Sequence, residues 1–137
     1  MKNKKGFTLM ELLISIAIIG LLSTVVIVRY DTIKINSRDA RRISDITSIA
    51  KGLGIYYTIN NKYPVFTEPG ITITGTDALS TLLIDSQSMP TVTPDPSPSY
   101  SYVYASNTTG TTYAISFCLE GTSIKNYSQG CGNTFTP

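Results

Sequence analysis

The run Phe7–Val28 holds 22 residues and one charge, Glu11. As a helix rising ~1.5 Å per residue it is roughly 33 Å long, enough to cross a hydrocarbon core of about 30 Å. Ahead of it stands Met1-Lys2-Asn3-Lys4-Lys5-Gly6, whose three lysines keep that end cytoplasmic under the positive-inside rule. A carboxylate so deep in a span costs about 2.5–3.5 kcal/mol and calls for a partner. A secretory signal would carry a shorter apolar run and a small-residue cleavage site behind it. Ser23-Thr24-Val25-Val26 is a poor site of that kind. An uncleaved single-span anchor is the plain alternative, and it leaves Glu11 without a purpose.

Gly6-Phe7-Thr8-Leu9-Met10-Glu11, followed by this apolar run, resembles the class III signal of type IV pilins and type II secretion pseudopilins. The resemblance implies that a prepilin peptidase cuts between Gly6 and Phe7 and methylates the new Phe7 amine. It places Glu11 at the fifth mature position, near the Phe7 amine of a neighbouring subunit in a helical homopolymer. An amine and a carboxylate attract strongly in low dielectric, while either alone is penalised. The implied partners are further copies of the chain, the peptidase, an assembly ATPase with its platform protein, minor pilins, and the membrane before assembly. The implied location is a single-pass membrane protein, N-terminus cytoplasmic and head outside, that passes into an extracellular or periplasmic filament.

A second stretch, Arg41-Arg42-Ile43-Ser44-Asp45-Ile46 through Tyr56-Tyr57 to Asn60-Asn61-Lys62-Tyr63-Pro64, resembles the major pseudopilin group, as do Met89-Pro90, Pro94-Asp95-Pro96 and Tyr100-Ser101-Tyr102. The chain departs from that group in lacking a Trp-Gly after Asp-Pro. It also lacks an acidic C-terminal calcium loop, since the only acid beyond Asp95 is Glu120. No metal site is therefore expected. Relatives often carry a proline where this chain has Val28, so unwinding of the helix would rest on Gly20 alone.

Composition narrows the function further. Of eleven basic residues three lie in the leader, and the remaining eight face nine acids, which gives no support for a nucleic-acid surface. With no histidine, no Gly-rich phosphate loop and no nucleophile beside a base, no catalytic residues, no cofactor and no enzymatic activity are expected. Cys118 and Cys131 are the only cysteines. In an exported domain they suggest one disulfide, worth about 3 kcal/mol in the chain-entropy model; two free thiols are the alternative.

No proline occurs before Pro64, so the helix is expected to run to about Asn60, where Asn60-Asn61-Lys62-Tyr63-Pro64 stops it. Ile43, Ile46, Ile49, Ala50, Leu53, Tyr56 and Tyr57 form one apolar stripe. Arg41 and Arg42 can each meet Asp45 on the opposite face, and Arg38, Arg41 and Arg42 read as a solvated or subunit-facing surface. Gly52 and Gly54 weaken the helix end. Asp77 caps a short helix over Ala78–Leu83. Met89–Pro98, with four prolines, is an extended linker. Tyr100, Tyr102 and Tyr104 alternate as a strand, Asn107–Gly110 turns, Thr112–Leu119 returns, and Gly121–Pro137 reads as a loop. A hairpin alone is marginal, so it packs on the stripe with room for a third short strand. Stacking of the tyrosines on sugar or DNA is the rival to packing. Asn107-Thr108-Thr109 and Asn126-Tyr127-Ser128 fit the glycosylation triplet, which is common by chance.

The expected class is α+β: a long N-terminal helical spine packed against a small antiparallel β-sheet head with a C-terminal disulfide loop. The expected organisation is a leader (1–6), a membrane or filament-core helix (7–28), an amphipathic half of the spine (29–62) and a head (63–137). Within the head these are a loop at 63–99, a hairpin at about 100–119 and a disulfide loop at 118–131. The function implied is a structural subunit of a type IV pilus or pilus-like filament. The alternatives are a type II secretion major pseudopilin and, from another class, a monomeric membrane-anchored binding module.

Overall fold

The computed structural model describes residues 6–137, without the side chains of 25–28. The basic residues of the leader lie outside that range. Helix α1 covers Leu9–Asn60, followed by β1 (Ile71–Ile73), α2 (Ala78–Asp85), β2 (Tyr102–Ser106), β3 (Tyr113–Leu119) and β4 (Gly130–Phe135). The chain divides into two units at Lys34/Ile35.

In the first unit the side chains of Gly6 through Thr24 are exposed, including Phe7 at 76% and Leu21 at 69%. The few polar groups are turned inward. Ser15 and Ser23 donate to the carbonyls of Glu11 and Ile19, and Thr24 donates to that of Leu21. The surface is thus a bare apolar face with its hydroxyls satisfied, larger than a soluble monomer ordinarily leaves uncovered. Among the described residues, no single helix is long and apolar enough to cross a membrane. Leu9–Thr24 and Arg29–Asn60 pass such a test only together. Leu9–Thr24 falls short of the ~20 residues a span needs, so the expected span depends on residues 25–28.

The second unit is an α+β head. One face of a four-stranded antiparallel sheet, in the order β1-β2-β3-β4, covers α1. The core joins Ile46, Ile49 and Leu53 of α1 to Leu79 and Leu83 of α2 and to Ile73, Tyr102, Tyr104, Tyr113, Ile115 and Phe117 of the sheet. The expected stripe therefore makes the core, although Tyr57 at its border is exposed. Strand alternation places Tyr102 and Tyr104 fully inside, and Tyr104 donates to the Pro64 carbonyl at 2.8 Å. The tyrosine ladder is packing. Burial drives both hydroxyls to higher pKa, and it pushes Tyr113, beside Tyr63, up to about 12.

Helix α1 ends as expected, with Asn61 at φ 56°. Asp77 caps α2 by accepting from the Ser80 amide at 3.0 Å, and α2 runs two residues past the expected Leu83, to Asp85. The sheet is larger than expected. Residues 121–137 are not all loop, because β4 pairs with β3 from Gly130 to Phe135. Two glycines and a single buried side chain, Asn133, hide this edge strand from any period-two reading. A bulge between Phe117 and Leu119 turns both Cys118 and Leu119 inward, and Cys118 bonds to Cys131 across the two strands.

Two glycines are spatial requirements. Gly52 is seated on Met89, where a Cβ would come within 2.8 Å of the sulfur. Gly110 closes the β2–β3 turn at φ +68°, where a Cβ would meet the Tyr63 carbonyl at 2.7 Å. That carbonyl's own residue donates its amide to the Gly110 carbonyl at 2.8 Å, tying the helix exit to the turn. Gly110→Val should therefore cost about 2–4 kcal/mol, read as a lower thermal midpoint of the protein in detergent. An unchanged midpoint would refute the claim.

Candidate functional site

The N-terminal segment carries one polar constellation. Both the amide and the hydroxyl of Thr8 donate to Glu11 Oε2, at 2.9 and 2.8 Å, and the Glu11 amide returns a bond to Thr8 Oγ1 at 3.2 Å. This is a capping box at the start of α1. The pattern Thr8-x-x-Glu11 was visible in the sequence, yet the reading above assigned Glu11 no role within its own chain. Both bonds use the same carboxylate oxygen. Gly6 and Phe7 precede the helix in exposed chain, and nothing lies within 4 Å of where a Gly6 side chain would begin.

The head holds a second constellation that the sequence reading misplaced. Arg42 is fully buried, not part of an outer charged face. Its Nε and Nη2 form a bidentate pair with Asp95 at 2.8 and 2.9 Å, and its Nη1 reaches Asp39 at 2.7 Å and Glu120 at 2.8 Å. The guanidinium lies over the Tyr100 ring, 5.0 Å from its centre. Arg38 makes a second fork to Glu120, with Nε–Oε1 at 2.8 Å and a further bond from Nη2 to Oε2. Asp39 also accepts the Glu120 and Gly121 amides at 3.0 and 2.8 Å. Of the expected outer pairs only Arg41–Asp45 forms, at 3.8 Å. Partners far along the chain, rather than helical neighbours, decide where Arg42 points.

Three carboxylates from three parts of the head thus converge on one guanidinium. Burial alone would lower the Arg42 pKa, but the bonds to Asp95, Glu120 and Asp39 raise it overall. Arg38 pulls Glu120 down to about 2, against the opposing effect of burial and with help from Arg42. The folded pKa of Glu120 lies below its ordinary 4.5, so its contribution is complete above about pH 4.5 and is lost as pH falls toward 2. The thermal midpoint should fall across this acid window, and Glu120→Gln should flatten the fall.

Among the described residues no group of three or more His, Cys, Asp or Glu side chains could hold a metal ion, and no buried side-chain nitrogen or oxygen lacks a partner. The Asn107 amide is consumed in its turn, donating to Thr111 Oγ1 and accepting from the Thr111 and Thr112 amides.

One unit is an exposed apolar helix that begins with a capping Thr–Glu pair, and the other is a small α+β head. Residues 1–27 match the prokaryotic N-terminal methylation motif. The type II secretion system core protein G of Aeromonas hydrophila is 33% identical over 70 residues, covering 51% of this chain and 48% of the relative. The protein of that name from Pectobacterium carotovorum subsp. carotovorum is 35% identical over 69 residues, covering 50% and 44%. The one from Klebsiella pneumoniae is 31% identical over 71 residues, covering 52% and 50%. The chain spans about half the length of the curated relatives it matches. No solved structure matches it. The chain thus carries the N-terminal methylation motif and is similar, over about half of its length, to these core protein G chains.

Proposed function

We propose that the chain is a structural, prepilin-like subunit that is cut between Gly6 and Phe7, methylated on Phe7 and polymerised into a type IV pilus or pilus-like filament. The observation that carries this reading is the methylation motif over residues 1–27, placed on a helix whose apolar face is uncovered. In this reading the rod waits in lipid and then packs among the rods of other copies, where Glu11 meets a neighbour's Phe7 amine. The peptidase, an assembly ATPase with its platform protein, and minor pilins act on or beside it. The work of the chain is assembly, not catalysis. N-terminal mass spectrometry of the mature protein tests it. A start at N-methyl-Phe7 is expected, whereas retention of Met1–Gly6 in cells with active peptidase would overturn the proposal.

A second reading, a major pseudopilin of type II secretion, is favoured by the relatives named core protein G. Electron cryomicroscopy of native cells separates the two. A pilus subunit gives long surface fibres at natural expression, and a secretion pseudopilin gives none without overproduction.

A further inference from the structure

The head's charges from Arg38 to Asp45, with Asp95 and Glu120, are consumed in internal ion pairs, and those outside this cluster are left for other partners. Among the described residues of the head Lys51, Lys62, Glu68, Asp77, Asp85 and Lys125 form no ion pair, and of these Lys51 and Asp85 stand beside exposed isoleucines. Lys51, Ile55 and Ile59 follow one another at four-residue steps, so they form one ridge along α1. The two isoleucines are 48% and 61% exposed, and Lys62 follows just beyond the helix end. A shallow pocket of about 360 Å³ opens beside this ridge, lined by Lys51, Gly52, Ile55, Met89 and Pro90.

Asp85 is the counterpart. It is the last residue of α2, whose final turn carries no basic side chain. A carboxylate at the C-terminal end of a helix faces the negative end of the helix dipole. Its own helix therefore gives it no stabilisation. Beside it Ile84 projects, 37% exposed. An apolar side chain next to a misplaced acid complements an apolar ridge that begins with a free lysine.

We propose that the Ile84–Asp85 corner of one copy docks on the Lys51–Ile55–Ile59 ridge of another, with Ile84 in the pocket and Asp85 against Lys51. The two patches lie on different elements and carry opposite charge. A contact between two different patches can repeat from copy to copy head to tail, and the multimer ladder below distinguishes this from a closed pair, which would stop at dimers. This rests on the filament reading and names which head surfaces meet in it.

The test uses the full chain expressed with its assembly machinery. Lys51→Glu and Asp85→Lys should each lower the yield of sheared filaments about fivefold or more, and the two together should restore it to within about twofold. Carbodiimide treatment of wild-type filaments should give a ladder of multimers through a Lys51–Asp85 amide. The ladder should disappear in Lys51→Arg, which keeps the charge but cannot be coupled. Full filament yield from both single reversals, or a double variant no better than the worse single one, would sink the contact while leaving the filament reading intact. A wild-type chain that stays monomeric in the membrane would sink both.

Discussion

Replacing Arg42 with alanine should strongly destabilise the head. The substitution leaves Asp39, Asp95 and Glu120 around an empty centre, with Asp39 and Asp95 side chains 0% and 1% exposed. Removing one partner of a buried ion cluster costs about 3–5 kcal/mol, because the remaining charges have lost both water and counter-charge. A domain of this size loses upwards of about 12 °C in thermal midpoint for such a change. Lysine at the same position keeps the charge but cannot form the bidentate pair with Asp95 and reach Asp39 and Glu120 at once, so it should recover only part of the loss. The informative comparison is Arg42→Met combined with Asp39→Asn, Asp95→Asn and Glu120→Gln. If the damage comes from stranded carboxylates, this neutral set should be more stable than Arg42→Ala alone. Thermal denaturation of the full chain in detergent measures all of these. A midpoint for Arg42→Ala within a few degrees of wild type would show that the cluster does not hold the sheet, the proline-rich segment and α1 together.

The second large effect concerns Glu11, whose proposed role is pairing with a neighbour's amine. Glu11→Ala should abolish filaments while protein levels stay near normal. Alanine also removes the capping box with Thr8, a loss of about 0.5–2 kcal/mol confined to the start of α1. Glutamine separates the two roles, because Glu11→Gln keeps an oxygen for Thr8 to donate to and loses the negative charge. If the charge carries assembly, the glutamine variant should fail as completely as alanine in a filament-shearing assay. Wild-type fibre yield from Glu11→Gln would reduce Glu11 to a helix cap. Thr8→Val, which removes only the hydroxyl, should leave the amide bond to Glu11 and weaken assembly far less than either.

The features legible in advance were those with a local cause. A proline-free stretch ending in Asn60-Asn61 and Pro64 marks the helix and its stop. Asp77 ahead of an apolar run marks α2. Alternating tyrosines before Asn107–Gly110 and the alternating Thr112–Leu119 after it mark the β2–β3 hairpin, and two lone cysteines suggest a bridge. The Thr8–Glu11 box was equally local and could have been read. The misplaced feature was Arg42. Within the helix its neighbours suggested Asp45 as partner, on an outer face, whereas Asp95 lies 53 residues away and Arg38 reaches Glu120 across 82. Strand β4 was hidden for a related reason, since an edge strand with two glycines and one buried side chain has no pattern of its own.

Residue order alone therefore determined the helix, its cap, its end and the methylation motif at its start, because each depends on residues within a few positions of one another. The tertiary structure alone decided that Arg42 goes inward and that Gly130–Phe135 becomes a strand. A buried guanidinium is tolerable only when several carboxylates arrive from distant parts of the chain, and an edge strand exists only where a finished neighbour offers it a ladder.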